Sequence, residues 1–305
     1  MSVQIKKHKN VTWLNIEEPT EADINYLREN FKFHTLDLED LGHEAQRSKL
    51  DIYSDYAFII LRFPVTYKDS NLIGSHELGV FLGKDYVITI QKKKIISLQD
   101  YHRKVMANEK LMDEVFGGRP ALLLYNILDE MYHATLSLTD WLMAEINQVE
   151  KEVYDEETKT VVKALALLRR NVLTFKSIME PQRLVIRALV NLQKDYLSKE
   201  FESYFDDIAD YIERIHNFVE TSKELVDGLH ATNESLSSYR LNRVMKILTI
   251  FSVSLLPLTL LTGIWGMNLQ SLPLIHDETL VWYIFGGLAA VIVGIFVWLK
   301  KKNII

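Results

Sequence analysis

Hydrophobic residues are distributed unevenly along the chain, and the longest apolar stretches follow Lys246. Two segments, 247–266 and 280–299, each contain about 20 residues without a charged side chain, the length that a helix needs to cross about 30 Å of hydrocarbon. Trp and Tyr side chains lie near the segment ends, where membrane proteins carry aromatic belts. The pattern predicts two C-terminal transmembrane helices, and it fits the alternative, two buried helices of a soluble protein, less well.

Basic residues around these segments predict their orientation. Arg240, Arg243 and Lys246 precede the first segment, three lysines at 300–302 follow the second, and the loop between the segments has neither Lys nor Arg. Because cytoplasmic flanks carry the excess of basic residues, we expect both termini in the cytoplasm and a short external loop. The N-terminus has no apolar core or cleavage pattern, so we expect no signal peptide and a cytosolic N-terminal region.

The first third of the chain mixes strand and helix patterns. Val11–Ile16, Tyr56–Val65, His76–Leu82 and Tyr86–Gln91 are rich in β-branched and aromatic residues, which favours strands. Thr20 is a candidate N-cap for a helix, with Asp23 three residues later. We therefore predict a cytosolic α/β domain over residues 1–119.

Long helices are predicted from Pro120 onward. Ala121–Tyr154 and Thr160–Met179 have helical periodicity, and the second helix is expected to stop near Pro181. Apolar residues then recur every three or four positions, which predicts one stalk helix from about 183 to 265. The stripe comprises Phe201, Tyr204, Phe205, Ile208, Tyr211, Ile212, Ile215, Phe218 and Val219. The predicted fold class is an α+β membrane protein with a helical region over 120–246 and a two-helix transmembrane domain over 247–305.

Composition excludes several kinds of function. The chain has 35 basic and 41 acidic residues, a net charge of −6, which argues against nucleic-acid binding. It contains no cysteine, so disulfides, thiolate metal sites and cysteine nucleophiles are excluded. We find no Gly-rich phosphate loop and no cluster of nucleophile and base, and predict neither enzymatic activity nor a cofactor. His34, His43 and His133 are expected to serve structure.

One face of the first apolar segment is smaller and more polar than the other. Its members follow alternating steps of three and four residues: Asn242, Met245, Thr249, Ser252, Leu256, Thr259 and Gly263. Such a face lines a pore in some membrane proteins and marks a close helix–helix contact in others. A two-helix hairpin cannot enclose a polar path, so a pore would have to be shared between subunits.

Several motifs in and before this segment resemble those of the CorA family of divalent-cation channels. They are Asn242-Arg243-Val244-Met245-Lys246-Ile247-Leu248-Thr249, then Pro257-Leu258-Thr259, then Gly263-Ile264-Trp265-Gly266-Met267-Asn268. The Gly-Met-Asn tripeptide at the end of the first of two C-terminal spans is the signature of that family. Outside residues 242–268 the resemblance is looser.

The resemblance implies a homopentamer in the cell (inner) membrane, surrounded by lipid, in which five first spans line the pore. Mg²⁺ would be the substrate, with Co²⁺ and Ni²⁺ also carried, and the membrane potential would drive uptake. Thr259 and Asn242 would form polar rings, whereas Leu248 and Leu256 would form apolar constrictions that gate by dewetting. Met245 lies on the same face.

The resemblance places the pore mouth at Gly266, Met267 and Asn268. Mg²⁺ gives up its water shell reluctantly, so a neutral site that binds the hydrated ion suits rapid passage. The Asn268 oxygen and nearby carbonyls can accept hydrogen bonds from first-shell water, Gly266 allows a close backbone, and Met267 is expected to pack. Gly and Asn are also favoured at helix C-caps, which is the alternative interpretation.

Asp40 and Asp207 match family positions that form a regulatory Mg²⁺ site between neighbouring subunits. Mg²⁺ bound there would bridge repelling carboxylates and hold the channel closed, so Mg²⁺ is expected to be a regulatory ligand as well as a substrate. Glu39, Asp206 and Asp210 lie close in sequence and are additional candidate ligands. The alternative is that the aspartates on the long helix form a solvated face.

The loop after the signature departs from the family pattern. The family commonly has Met-Pro-Glu, whereas this chain has Leu272-Pro273-Leu274, and Asp277 and Glu278 would have to supply the external negative charge. Because His276 lies in this loop, a Zn²⁺ transporter of the same family remains an alternative interpretation. A membrane-anchored helical scaffold without a pore is the alternative from another functional class.

Overall fold

The computed structural model describes residues 3–42, 47–67, 69–155, 159–192, 194, 196–267 and 278–301. The chain divides into two compact units, Met1–Leu229 and His230–Ile305.

A six-stranded sheet forms the centre of the first unit, with the strand order β1-β2-β6-β5-β4-β3. Its strands are β1 (Val3–His8), β2 (Val11–Glu17), β3 (Lys49–Ile52), β4 (Tyr56–Tyr67), β5 (Leu72–Gly83) and β6 (Tyr86–Gln91). Neighbouring strands are antiparallel except β2 and β6, which run parallel with Thr12 opposite Tyr86.

The four strands predicted from sequence are confirmed as β2, β4, β5 and β6. The strands β1 and β3, at the two edges of the sheet, were not predicted. Edge strands face water on one side and tolerate charged residues, and β1 accordingly carries Gln4, Lys6 and Lys7. A weak apolar pattern is therefore the reason that the sequence did not reveal them.

Among the described residues before Lys199, six α-helices accompany the sheet. They are α1 (Glu21–Asn30), α2 (Thr35–Asp40), α3 (Ile96–Ala107), α4 (Glu109–Phe116), α5 (Pro120–Asp155) and α6 (Lys159–Val190). The predicted N-cap of α1 is confirmed, because the Thr20 side chain accepts a hydrogen bond from the Asp23 N–H and the Asp23 carboxylate accepts one from the Thr20 N–H.

Alternating side chains of the strands pack toward opposite faces of the sheet. On one face Phe58 and Ile88 join Leu27 of α1 and Leu38 of α2 in a buried cluster. On the other face Phe63 contacts the ring of Tyr132 on α5, with ring centroids 5.3 Å apart. The sheet is thus covered on both faces, as an α/β domain requires.

Buried amide side chains connect α6 to the sheet. Gln182 is fully buried, and its Nε2 donates to the Arg62 carbonyl of β4 at 2.7 Å while its Oε1 accepts from the Tyr132 hydroxyl at 2.9 Å. Asn171 accepts from the Ile73 N–H at 3.0 Å and donates to the Asn71 carbonyl at 2.8 Å. These bonds set the position of α6 along β4 and β5.

The prediction that the helix after Thr160 ends near Pro181 is wrong, since α6 continues through Pro181 to Val190. A proline within a helix removes one backbone hydrogen bond. Here Val185, Ile186 and Leu189 beyond the proline are buried, and that burial offsets the loss.

The predicted stalk helix from about 183 to 265 is also wrong at its start. The long helix α7 begins at Glu202 and ends at Trp265, after a 3₁₀ turn at Lys199–Phe201. Between α6 and α7, Lys194 and Leu197 form an isolated bridge. Ser198 precedes the 3₁₀ turn in extended conformation, so the helical backbone is interrupted there.

The N-terminal half of α7 is buried in the first unit along a single seam. Its buried side chains repeat in steps of three and four: Phe205, Ile208, Ile212, Ile215, Val219, Ser222, Val226 and Leu229. The predicted apolar stripe is confirmed in part, because Tyr204 is 42% exposed.

The second unit contains the remainder of α7 and the helix α8 (Glu278–Lys301). Among the described residues, α7 is the one helix long and apolar enough to cross a membrane by length and composition, and its most apolar stretch is not buried. The helix α8 carries a shorter apolar stretch, Trp282–Trp298.

The buried amide of Gln182 yields a stability prediction. We expect Gln182→Ala to leave the Arg62 carbonyl and the Tyr132 hydroxyl without their partner, which lowers the free energy of unfolding by about 2–3 kcal/mol and the Tm of the full chain by several degrees. Thermal unfolding followed by tryptophan fluorescence measures this shift. Gln148→Ala, at an exposed position of α5, is the control and should leave the Tm unchanged. Equal Tm values for the two variants would contradict the assigned role of Gln182.

Candidate functional site

All eight residues predicted to line a pore lie on α7 of the second unit, and all are exposed. They are Asn242, Met245, Leu248, Thr249, Ser252, Leu256, Thr259 and Gly263. The helix continues through Pro257 without a break, so the predicted spacing of three and four residues is maintained along this face.

The opposite face of α7 is half-buried. Its half-buried positions are Ile250, Ser254, Leu258, Leu261 and Trp265, and those of α8 are Ile284, Phe285, Leu288, Ile292 and Phe296. The rings of Trp265 and Phe285 make contact, with centroids 5.7 Å apart. At 100° per residue the two faces of α7 point in roughly opposite directions. The polar face is therefore turned away from the face of α7 that contacts α8.

Hydroxyl groups on the polar face are bonded to the backbone of their own helix. Thr249 donates to the Met245 carbonyl at 2.8 Å, and Thr259 donates to the Leu255 carbonyl at 3.0 Å. Such bonds use the hydroxyl hydrogen and leave the oxygen as an acceptor. This face can therefore accept hydrogen bonds from the water shell of a cation without contributing a formal charge.

At Gly266, beyond the last residue of α7, the backbone of the preceding turn leaves little room for a side chain. The Gly266 N–H donates to the Thr262 carbonyl at 2.8 Å, and a Cβ at Gly266 would lie 3.0 Å from the same oxygen. Gly266 is not among the described residues with positive φ, so lack of space, and not a left-handed conformation, favours glycine there. Met267 is 52% exposed.

Part of the predicted pore mouth and loop lies outside the described residues. This applies to Asn268, Leu272, Pro273, Leu274 and His276, and equally to Asp277 and His43. Glu278 is described only as the first residue of α8.

Asp40 lies at the end of α2, where the ammonium group of Lys49 contacts its carboxylate. The Lys49 Nζ is 2.6 Å from Asp40 Oδ2 and 2.5 Å from Asp51 Oδ2. Partial burial lowers the pKa of Lys49, but the hydrogen bonds to both aspartates outweigh it and the pKa is raised. A divalent ion at Asp40 would therefore compete with a resident cation.

Asp207 lies on the exposed face of α7 and has a different partner. Its Oδ2 accepts a hydrogen bond from the Tyr125 hydroxyl at 3.2 Å. Burial raises the pKa of nearby Asp129 on α5, the charge of Asp207 raises it further, and His133 opposes both effects. Asp129 was missed by the sequence analysis, since only the packing of α5 beside α7 brings the two carboxylates close.

The other predicted acidic ligands are exposed, and His34 and His133 make contacts within the fold. Glu39, Asp206 and Asp210 are exposed. His34 caps α2 by accepting from the Leu36 N–H at 3.3 Å. His133 stacks edge-on against Tyr211, with centroids 4.9 Å apart.

A second group with metal-ligand chemistry joins α6 and α7. Ligand atoms of Glu180, His216 and Glu220 all lie within 4.8 Å of one another. Cationic side chains already contact this group, because Arg183 Nη1 is 3.2 Å from His216 Nε2 and Lys176 Nζ is 2.5 Å from Glu220. The arrangement is an ion-pair network in its present form.

Comparison with known proteins identifies the family. The chain is 29% identical over 296 residues to the cobalt/magnesium transport protein CorA of Thermotoga maritima, covering 96% of this chain and 83% of that protein. It is 24% identical over 291 residues to the putative metal ion transporter YfjQ of Bacillus subtilis, and the match covers 95% of this chain and 89% of that protein.

A solved structure and a family model agree with these relatives. The complete structure of the CorA magnesium transporter from Methanocaldococcus jannaschii superimposes with a TM-score of 0.82 at 22% identity, covering 96% of this chain and 90% of that one. The model of the CorA-like Mg²⁺ transporter protein family matches residues 8–301. Because that match spans almost the whole chain, the protein belongs to the CorA-like Mg²⁺ transporter family.

Proposed function

We propose that this protein is the subunit of a homopentameric Mg²⁺ channel in the cell membrane, which also passes Co²⁺ and Ni²⁺. The observation that carries the proposal is the polar face of α7, which is uncharged from Thr249 to Gly263, is turned away from α8 and ends beside Gly-Met-Asn. Membership of a transporter family favours a channel over the pore-free scaffold that the sequence left open.

The exposed apolar surface supports a membrane location and self-association. None of residues 230–267 is buried in the single chain, and exposed apolar patches of this extent mark contacts with lipid or protein. The apolar segments of α7 and α8 would both span the bilayer, and basic residues at their outer ends would place both termini in the cytoplasm. Several copies of α7, turned with their polar faces inward, would enclose a conduit.

The chemistry of the polar face suits a hydrated divalent ion. Mg²⁺ binds its waters tightly, so hydroxyl and amide oxygens that bond to those waters can hold the ion without stripping them. In this proposal Asn268 forms the outer ring of acceptors, while Thr259 and Asn242 form rings further along. Leu248 and Leu256 would interrupt the wetted path and allow gating.

The membrane potential supplies the driving force. Moving one elementary charge through 100 mV releases about 2.3 kcal/mol, so a divalent ion gains about 4.6 kcal/mol. No nucleotide hydrolysis is needed for uptake.

Cytosolic Mg²⁺ would regulate the channel through Asp40 and Asp207. The two carboxylates have separate partners in one chain, Lys49 and Tyr125, and a site formed between neighbouring subunits would bring them together. Asp129, whose carboxylate interacts with that of Asp207, is an additional candidate ligand. Mg²⁺ at this position would neutralise the repulsion between subunits and stabilise the closed channel.

The proposed pore mouth is tested by Asn268→Ala. Loss of the amide oxygens should reduce Mg²⁺ uptake at least tenfold in liposomes that contain the purified oligomer and a Mg²⁺-sensitive dye. Asn30→Ala, at an exposed position of α1, is the control and should transport normally. Repeating the assay with Co²⁺ and Zn²⁺ separates a Mg²⁺ channel from a Zn²⁺ transporter. Undiminished uptake by Asn268→Ala would overturn the filter assignment.

The regulatory site is tested by a double variant, Asp40→Asn with Asp207→Asn. Without these charges, Mg²⁺ inside the liposome should inhibit uptake less, and the half-inhibitory concentration should rise at least fivefold. The control is Asp140→Asn, on an exposed position of α5, which should leave inhibition unchanged. If the double variant is inhibited like the unmodified protein, regulation does not depend on these aspartates.

A further inference from the structure

A cavity of about 860 Å³ lies in the first unit between α6 and the sheet edge formed by β3 and β4. Lys49 and Leu50 of β3 and Arg62 of β4 line one side, and residues of α6 from Ser177 to Ala188 line the other. The volume falls within the range of small-molecule binding sites. Ion conduction, as proposed for α7, does not use this cavity.

Cationic side chains dominate the lining. Among the described lining residues, five side chains are cationic and one is acidic. The cationic residues are Arg47, Lys49, Arg62, Arg183 and Arg187, and the acidic residue is Glu180. Glu213 and Asp51, which pair with Arg183 and Lys49, are outside that lining. Glu180, which also pairs with Arg183, is the one acidic partner among the described lining residues. Clefts lined by one sign of charge concentrate ions of the opposite sign, here anions.

Ion pairs and a hydrogen bond hold several of these cations in place. Arg183 donates from Nη2 to both carboxylate oxygens of Glu213 at 3.0 Å, and Arg187 contacts the same carboxylate. Arg62 donates from Nη2 to Ser75 Oγ at 2.6 Å. Side chains that are already ordered lose less conformational entropy when a ligand binds, which favours affinity.

Part of the lining is apolar. Leu50, Leu184 and Ala188 contribute this surface, and Leu184 is 74% exposed. A large aliphatic side chain in this position offers contact area to a flat ring. The cavity thus combines donors for anionic oxygens with a surface for an apolar group.

We propose that this cavity binds an anion that carries two or more phosphate groups and an attached ring, the class to which nucleoside diphosphates and triphosphates belong. Guanidinium groups match phosphate oxygens in geometry and charge. Several neighbouring guanidinium groups favour a polyphosphate over a single phosphate, and the apolar surface favours a nucleotide over bare pyrophosphate.

The proposal is tested by isothermal titration calorimetry of the full-length oligomer in detergent, in a chelator-containing buffer free of divalent ions. ATP and pyrophosphate should bind, and adenosine should not. Arg47→Gln combined with Arg187→Gln should weaken ATP binding at least tenfold. The matched control, Arg28→Gln with Arg103→Gln, removes two exposed cations elsewhere in the same unit and should change the affinity less than twofold.

A third variant tests the apolar surface. Leu184→Ser should weaken ATP binding about threefold and leave pyrophosphate binding unchanged, and the high exposure of Leu184 means that folding should be unaffected. Absence of ATP binding to the unmodified protein, or an equal loss in both double variants, would overturn the site. If Leu184→Ser weakens the binding of ATP and of pyrophosphate equally, the assignment of the cavity to nucleotides is overturned. None of these measurements involves ion flux, so their outcome is independent of the channel assignment.

Discussion

The burial of α7 is the constraint on which the rest of the structure depends. From Phe205 to Leu229 the helix buries an apolar seam in its own chain, whereas none of residues 230–267 is buried. Exposing apolar surface to water costs about 25 cal/mol for each Å². The second half of the helix therefore requires lipid or further copies of the chain, and the proposed oligomeric membrane assembly supplies both.

Packing within the hairpin determines which side of α7 is available to neighbours. The face with Leu258 and Trp265 is partly covered, and Trp265 contacts Phe285 of α8. The face with Thr259 and Gly263 is exposed in the single chain, and in the proposed assembly it contacts other copies. Its hydroxyl hydrogens are used within the helix, so it presents neutral oxygen acceptors, which suit an ion that keeps its water.

Charged groups are concentrated in the first unit, where they form paired networks. Lys49 contacts Asp40, the proposed regulatory ligand, and also lines the basic cavity beside α6. Arg183 lines the same cavity and belongs to the network of Glu180 and His216. Lys49 is therefore shared between the cavity and Asp40. Because these groups are in contact, a change at any of them alters the electrostatic surroundings of its neighbours.

Sequence reasoning succeeded where local pattern and burial agree. The central strands, the Thr20 cap and the helix α5 were predicted because their own residues carry the signal. It failed at the edge strands β1 and β3, whose partial exposure permits charged residues, and at Pro181, where burial of the following turn outweighs the lost hydrogen bond. The interruption of the helix before Glu202 also carries no strong local signal.

The sequence by itself determined the family, the two apolar C-terminal segments and the polar face of the first, because these depend on residue type and helical spacing within one segment. Tertiary structure alone decided that Asp129 lies beside Asp207, that Lys49 contacts Asp40, and that arginines of β4 and α6 surround one cavity. Those groups are far apart along the chain, and no local periodicity records which of them packing brings together.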